Sequence, residues 1–275
     1  MQAFLQLLIM ACAGIVLVMA RPGLMADPTI PLDPLDLGVT QIAEFAAITL
    51  SIFAARRLLD RRSFVSLGLQ PSRRAYADFA TGLLITLGMM GSVFAVELRM
   101  GWIEVHRFAW QLDSHGMILR RALALLAACM LVGWNEELMS RGYHLQTLAS
   151  GTNLAWGWIL SSVVFGALHL ANPHASLMAA GGTVLAGFFL GFGYVRTGQL
   201  WLSIGLHTGW NFFEGVVFGF PVSGLTFYRL MHVSVHGPVI WTGGEFGPEA
   251  GLVMIPALAV GFGLIAIHTR KRQAA

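Results

Sequence analysis

The stretch ALALLAACMLVGWNEELMSR, Ala122–Arg141, decides the fold. Its first thirteen residues, Ala122 to Trp134, carry no charge, and then Asn135, Glu136, Glu137 and Arg141 arrive within seven positions. A surface helix of a soluble protein shows a polar stripe at 3.6-residue spacing. This run shows none, so it predicts a helix made for lipid, over about 117–136. A charge at membrane depth costs about 2.5–3.5 kcal/mol on insertion scales, so ionisable groups at the inner end of such a run mark a place where the chain uses them.

The pattern repeats outward in both directions. The 275 residues are 56% hydrophobic and 11% charged, with a mean hydropathy of +0.69, against about 25% charged residues in soluble domains. Each crossing of a bilayer takes about 20 apolar residues, and the apolar runs predict an all-α, polytopic transmembrane helix bundle of about eight helices. The spans are expected at about 2–20, 39–58, 77–98, 117–136, 153–171, 175–195, 199–219 and 250–268. The whole chain, 1–275, is expected to form a single transmembrane domain. Leu5–Ala20 lacks the positively charged start of a secretory signal and reads as the first span. Cys12 and Cys129 lie in apolar runs and form neither a disulfide framework nor a CxxC site. Segment 99–116, with Trp102, Glu104, His106 and Trp110, reads as an interfacial loop or short surface helix. Gly181-Gly182, Ala186-Gly187 and Gly191-x-Gly193 recur at helical spacing and predict close helix packing.

Arginine placement sets the orientation. Arg56, Arg57, Arg61, Arg62, Arg73 and Arg74 crowd one hydrophilic segment, and Arg270-Lys271-Arg272 follow the last apolar run. The positive-inside rule makes both cytoplasmic. Eight crossings then put both termini in the cytoplasm of a cell (inner) membrane protein, with Arg141 at a helix end. A basic patch for nucleic acid is not the reading.

Three clusters carry the chemistry. In Glu136-Glu137-x-x-x-Arg141, Glu137 and Arg141 stand at i and i+4 on one helical face in the favourable order, acid before base. Glu136 is turned about 100° from Glu137. It has no local cation and is free to act as a general base toward water. His169 follows Phe165 by four near the end of the fifth span, and His207 and Asn211 share one face of the seventh. A histidine and an amide projecting together can donate to a developing oxyanion. Each cluster also has a plain reading: a solvated helix end, a packed histidine, and an interhelical polar clamp worth about 0.6–2 kcal/mol. Taken together they supply the parts for water-driven peptide hydrolysis. Glu136, His169 and His207 could also hold a divalent metal such as zinc, with water in the open position. There is no HExxH, so a zincin-like site is not indicated, and no GxSxG for a serine nucleophile, so the attacking group is expected to be water.

These residues give the chain a resemblance to the CAAX protease and bacteriocin-processing family of intramembrane endopeptidases. The family pattern EExxxR, FxxxH, HxxxN stands here as Glu136-Glu137-x-x-x-Arg141, Phe165-x-x-x-His169 and His207-x-x-x-Asn211, in the family's order, and the catalytic core is expected over about 117–215. The resemblance implies an eight-helix bundle with an internal polar cavity opening to one side of the membrane. It implies that Glu136 and His169 activate water, that His207 and Asn211 hold the oxyanion, and that Glu137 and Arg141 support them. The expected partner is a membrane-associated protein or peptide substrate, prenylated in some relatives. Metal dependence stays open. The rival readings are a proton-coupled membrane transporter, in which the same groups relay protons, and a non-catalytic membrane immunity or chaperone protein.

Overall fold

The computed structural model describes residues 34–270. The expected span at 2–20, Cys12, and Lys271-Arg272 lie outside the described residues. Seven helices within them answer the other seven expected spans: α1 (Pro34–Leu58), α2 (Arg73–Arg99), α3 (His115–Gly151), α4 (Leu154–Leu168), α5 (Leu177–Thr197), α6 (Trp201–Asn211) and α7 (Met254–Thr269). The first five are long and apolar enough to cross a membrane. The protein is a polytopic helical membrane bundle.

Short polar residues set several helix starts. Ser72, Ser114, Asn153 and Ser176 accept hydrogen bonds from the backbone N–H three residues on, at 3.1, 3.4, 3.0 and 3.1 Å, satisfying donors the helix itself leaves unpaired. Gly198, at φ 63°, ends α5 in the left-handed conformation that glycine adopts without steric cost.

Glycines then bring α2 and α6 together. A Cβ on Gly205 would sit 2.2 Å from the Phe79 carbonyl oxygen, and one on Gly82 would sit 2.4 Å from the Leu206 nitrogen. The glycines foreseen on α5 act in the same way with one exception. Gly187 meets Ser162 of α4, Gly191 meets Trp158 and Gly193 meets Ser203, whereas Gly181 has nothing within 4 Å and is no packing position. Around these contacts Met89, Phe165, Phe189, Leu206, Trp210 and Met254 build a core shared by α2, α4, α5, α6 and α7.

Two expectations are corrected. Helix α3 does not stop at 136. It continues through a π-helical segment, Leu138–Leu145, and ends at Gly151, so Arg141 lies within the helix and not at its end. Segment 99–116 holds a strand ahead of its short helical turn, Ala109–Gln111. Ile103–Phe108 forms β1, which pairs antiparallel with β2, Met231–Val235, with a register irregularity between Val105 and Arg107. Both stretches alternate apolar and polar residues at period two, the signature of a strand with one covered face.

The two ends of the bundle differ. The segment bearing Arg56–Arg74 joins α1 to α2, and on that end Arg196 Nε donates to Thr269 Oγ1 at 2.9 Å, His268 Nε2 meets Asp78 Oδ1 at 2.8 Å and Leu200 N–H donates to the Gly68 carbonyl at 2.8 Å. The ribbon β1–β2 and the connection from α6 to α7 occupy the opposite end.

Candidate active site

The site is assembled where α3, α4 and α6 meet. Glu137 is fully buried, and its Oε1 accepts from Arg141 Nη1 at 2.8 Å and from His207 Nδ1 at 2.8 Å. Arg141, 1% exposed, also donates through Nη2 to the Gly187 carbonyl at 2.7 Å, and its guanidinium carbon lies 4.5 Å from the centroid of the Phe165 ring. The reading of Glu-Glu-x-x-x-Arg as a solvated helix end therefore fails. A buried guanidinium needs a counter-charge and hydrogen-bond acceptors, and α3 supplies Glu137 while α5 supplies the Gly187 carbonyl. The pair sits at the start of the π segment, and α6 likewise turns π-helical directly after Asn211, over Phe212–Val217. Such bulges gather at functional positions because the widened turn re-aims side chains.

Glu136 points away from this pair. Its Oε2 lies 3.9 Å from His169 Nε2 and 3.8 Å from His207 Nε2. The partners of the two Nδ1 atoms fix the proton positions. His169 Nδ1 is 2.8 Å from the Phe165 carbonyl oxygen, which can only accept, and His207 Nδ1 is 2.8 Å from the Glu137 carboxylate. Both Nδ1 atoms therefore carry their protons, and in the neutral rings both Nε2 lone pairs face Glu136. Phe165 packs against both imidazoles, at centroid distances of 4.7 and 6.0 Å. The four-residue spacing from Phe165 to His169 thus supplies a ring contact and a backbone acceptor.

Glu136, His169, His207 and Asn211 line one pocket of about 110 Å³, with Leu37 and Gln41 of α1, Thr183 and Ala186 of α5, and Ser223 and Glu249 from the connections beyond α6. One water needs about 10–15 Å³ on this measure, so the pocket admits several waters or a short stretch of extended chain. Asn211 is 8% exposed, and its amide has no hydrogen-bond partner among the described residues.

Glu249 and Ser223 were missed in the sequence because no motif surrounds them. Glu249 accepts from Trp210 Nε1 at 2.8 Å and is hydrogen-bonded to the Ser223 hydroxyl. Burial pushes its carboxyl up. The Ser223 hydroxyl, the His169 imidazole, the Trp210 N–H and the His207 imidazole pull the other way.

As a donor set, two imidazole nitrogens and a carboxylate suit zinc. Each ring is also oriented through Nδ1 by an outer partner, as metal-bound histidines are. The spacing is wide: both Nε2 atoms flank Glu136 Oε2 but lie more than 4.8 Å from each other, against about 3.4 Å between donors on a tetrahedral zinc with 2.0–2.1 Å bonds. As placed, the three atoms are spaced for a hydrogen-bonded water, and holding zinc requires the rings to close.

Fold and site together define an integral membrane helical bundle with a carboxylate–imidazole centre among its helices. Residues 118–213, which contain all three motif clusters, match the family model described as Rce1-like, type II CAAX prenyl endopeptidase. The resemblance seen in the motifs is borne out over that segment, and the match supports a peptidase role. No curated protein and no solved structure matches the chain.

Proposed function

We propose that the protein is an intramembrane endopeptidase that hydrolyses a peptide bond with water activated between Glu136 and His169. The observation that carries this is the convergence of Glu136 Oε2 with two imidazole Nε2 atoms whose Nδ1 protons are already committed. A water in that position has the Glu136 carboxylate and two imidazole nitrogens as acceptors. Glu136 takes one proton as the oxygen attacks, His169 Nε2 accepts a hydrogen bond from the O–H that remains and so aims the lone pair, and the protonated Glu136 returns its proton to the leaving amine as the C–N bond breaks. The unpartnered Asn211 amide donates to the oxygen of the scissile carbonyl as charge develops there. His207 can add a second donor only when doubly protonated, because its Nδ1 proton is held by Glu137. Glu137 and Arg141 keep that ring in place. If zinc is bound by Glu136, His169 and His207, it supplies Lewis-acid polarisation of the water, and the roles of Asn211, Glu137 and Arg141 are unchanged.

The pocket's place in the bundle bears on the substrate. His169 stands at the end of α4 away from the arginine-rich segment, and Leu37, Val222, Ser223, Leu225 and Glu249 all belong to that same end. With the arginine-rich end cytoplasmic, the pocket lies toward the outer face. The substrate is then a membrane-associated peptide or protein segment presented from that face, prenylated or not. A proton-relay transporter predicts no cleavage at all.

Purified protein in lipid, incubated with a library of membrane peptides, tests the reading. Wild type cleaves, while Glu136→Gln and His169→Ala do not. Cleavage by both variants at the wild-type rate overturns the mechanism.

A further inference from the structure

Among the described residues, Glu104, His106 and His236 form the one group of three metal-ligating side chains whose ligand atoms all lie within 4.8 Å of one another. We propose that they are a zinc-class divalent cation site on the exposed ribbon, separate from the catalytic pocket.

Strand geometry gathers them. Glu104 and His106 are two residues apart on β1 and so project from one face. Glu104 pairs in register with Ser234 of β2, and His236 follows Ser234 by two, which brings it to the same face. The register irregularity between Val105 and Arg107 falls at His106. A bulge there re-aims the side chain it carries, and His106 Nε2 reaches Ser234 Oγ at 2.7 Å while its Nδ1 stands 3.6 Å from Glu104 Oε1. With Nε2–H donated to the serine hydroxyl, the Nδ1 lone pair faces the carboxylate. This is the orientation a metal ligand takes from its outer partner. The third ligand is fixed by its backbone, since the N–H groups of His236 and Gly237 both donate to the Trp102 carbonyl, at 2.7 and 3.0 Å.

Two imidazoles and one carboxylate complete three positions of a tetrahedron and leave the fourth for water. All three side chains are exposed, so closing around a cation costs rotamer adjustment and no repacking of the core. The cation would tie the segment after α2 to the segment after α6, which also supplies Val222, Ser223 and Leu225 to the pocket.

Zinc chloride titrated into full-length protein in detergent micelles tests the site, read by calorimetry and by thermal unfolding. The titration uses a Glu136→Gln/His169→Gln background, so that the catalytic residues cannot supply the signal. One zinc binds per chain in this background and raises the midpoint of unfolding. Adding His106→Asn and His236→Asn removes both effects, and adding Ser234→Ala alone weakens binding about tenfold. Cobalt gives a tetrahedral visible spectrum in the background protein and none in the ribbon variant. The proposal is overturned if the background protein binds no zinc, or if the ribbon variant binds it as tightly. Because catalysis is silenced throughout, neither result depends on the peptidase reading.

Discussion

At the residue scale, the decisive fact is that Glu136 and Glu137, adjacent in sequence, have opposite surroundings. Glu137 Oε1 is bonded to both Arg141 and His207, and Glu136 faces lone pairs and the pocket. Glu136→Gln is therefore expected to lower the rate about 10²–10⁴-fold with little loss of folded protein, whereas Glu137→Gln disturbs the fold as well, because it leaves Arg141 buried without its counter-charge. Rate measurements beside unfolding curves separate the two. Asn211→Ala is expected to cost about 10²–10³ in kcat with KM nearly unchanged, as for a donor used in the transition state; an effect confined to KM would remove the oxyanion role. His207 donates only as an imidazolium, so if it contributes, activity falls as pH rises, and His207→Gln, an amide with no titration, flattens that limb. Glu249 gives a stability prediction. Burial raises its folded pKa above the unfolded one, so its contribution is fully present at low pH, below the ordinary carboxylate range, and is lost as pH rises through the folded value. Glu249→Gln should remove that share of the pH slope in thermal unfolding. The motif residues were legible because charge in an apolar run is rare and spacing of four puts them on one face. Glu249 was not, because its role comes from chain folding back from beyond α6 onto Trp210.

At the element scale, the helices were legible and the special backbone was not. Hydropathy placed a helix at each of the seven described spans, since a span must be apolar over its length, but it ended α3 at 136, fifteen residues before Gly151. The prolongation of α3 through Leu138–Leu145 was hidden because Glu136, Glu137 and Arg141 break the apolar run while the backbone continues as a helix. The ribbon was readable in principle from the alternation in Ile103–Phe108 and Met231–Val235, but the two strands are far apart in sequence and only the folded bundle joins them. The glycines of α2 and α6 predict an outcome. Gly205 precedes His207 by two and lies against the backbone of Phe79, where a Cβ would come within 2.2 Å of a carbonyl oxygen. Gly205→Ala must push α6 off α2, at about 1–3 kcal/mol for overpacking, and it carries His207 away from Glu137. Thermal stability and activity should fall together, whereas Gly181→Ala, facing open space, should leave both near wild type. Equal behaviour of the two variants would mean that α2–α6 contact does not set the site.

At the scale of the whole molecule, orientation and pocket position combine into one prediction about access. Six arginines lie between Arg56 and Arg74, and Arg196 and Arg270 fall at the same end. Positive residues in short loops are held on the cytoplasmic side, so the ribbon, the α6–α7 connection and the pocket are predicted to face out. Glu245 is on that side with its side chain 83% exposed, and Arg61 is exposed on the other. In intact cells producing a variant with Cys12 and Cys129 replaced by serine, a membrane-impermeant maleimide should label Glu245→Cys at once and Arg61→Cys only after lysis. The reverse pattern would turn the pocket to the cytoplasm. It would also change the substrate class to cytoplasmic segments, without touching the chemistry at Glu136, because the distances among α3, α4 and α6 are the same whichever way the bundle is inserted. The labelling therefore tests where the substrate comes from, and the Glu136 and His169 variants test what is done to it.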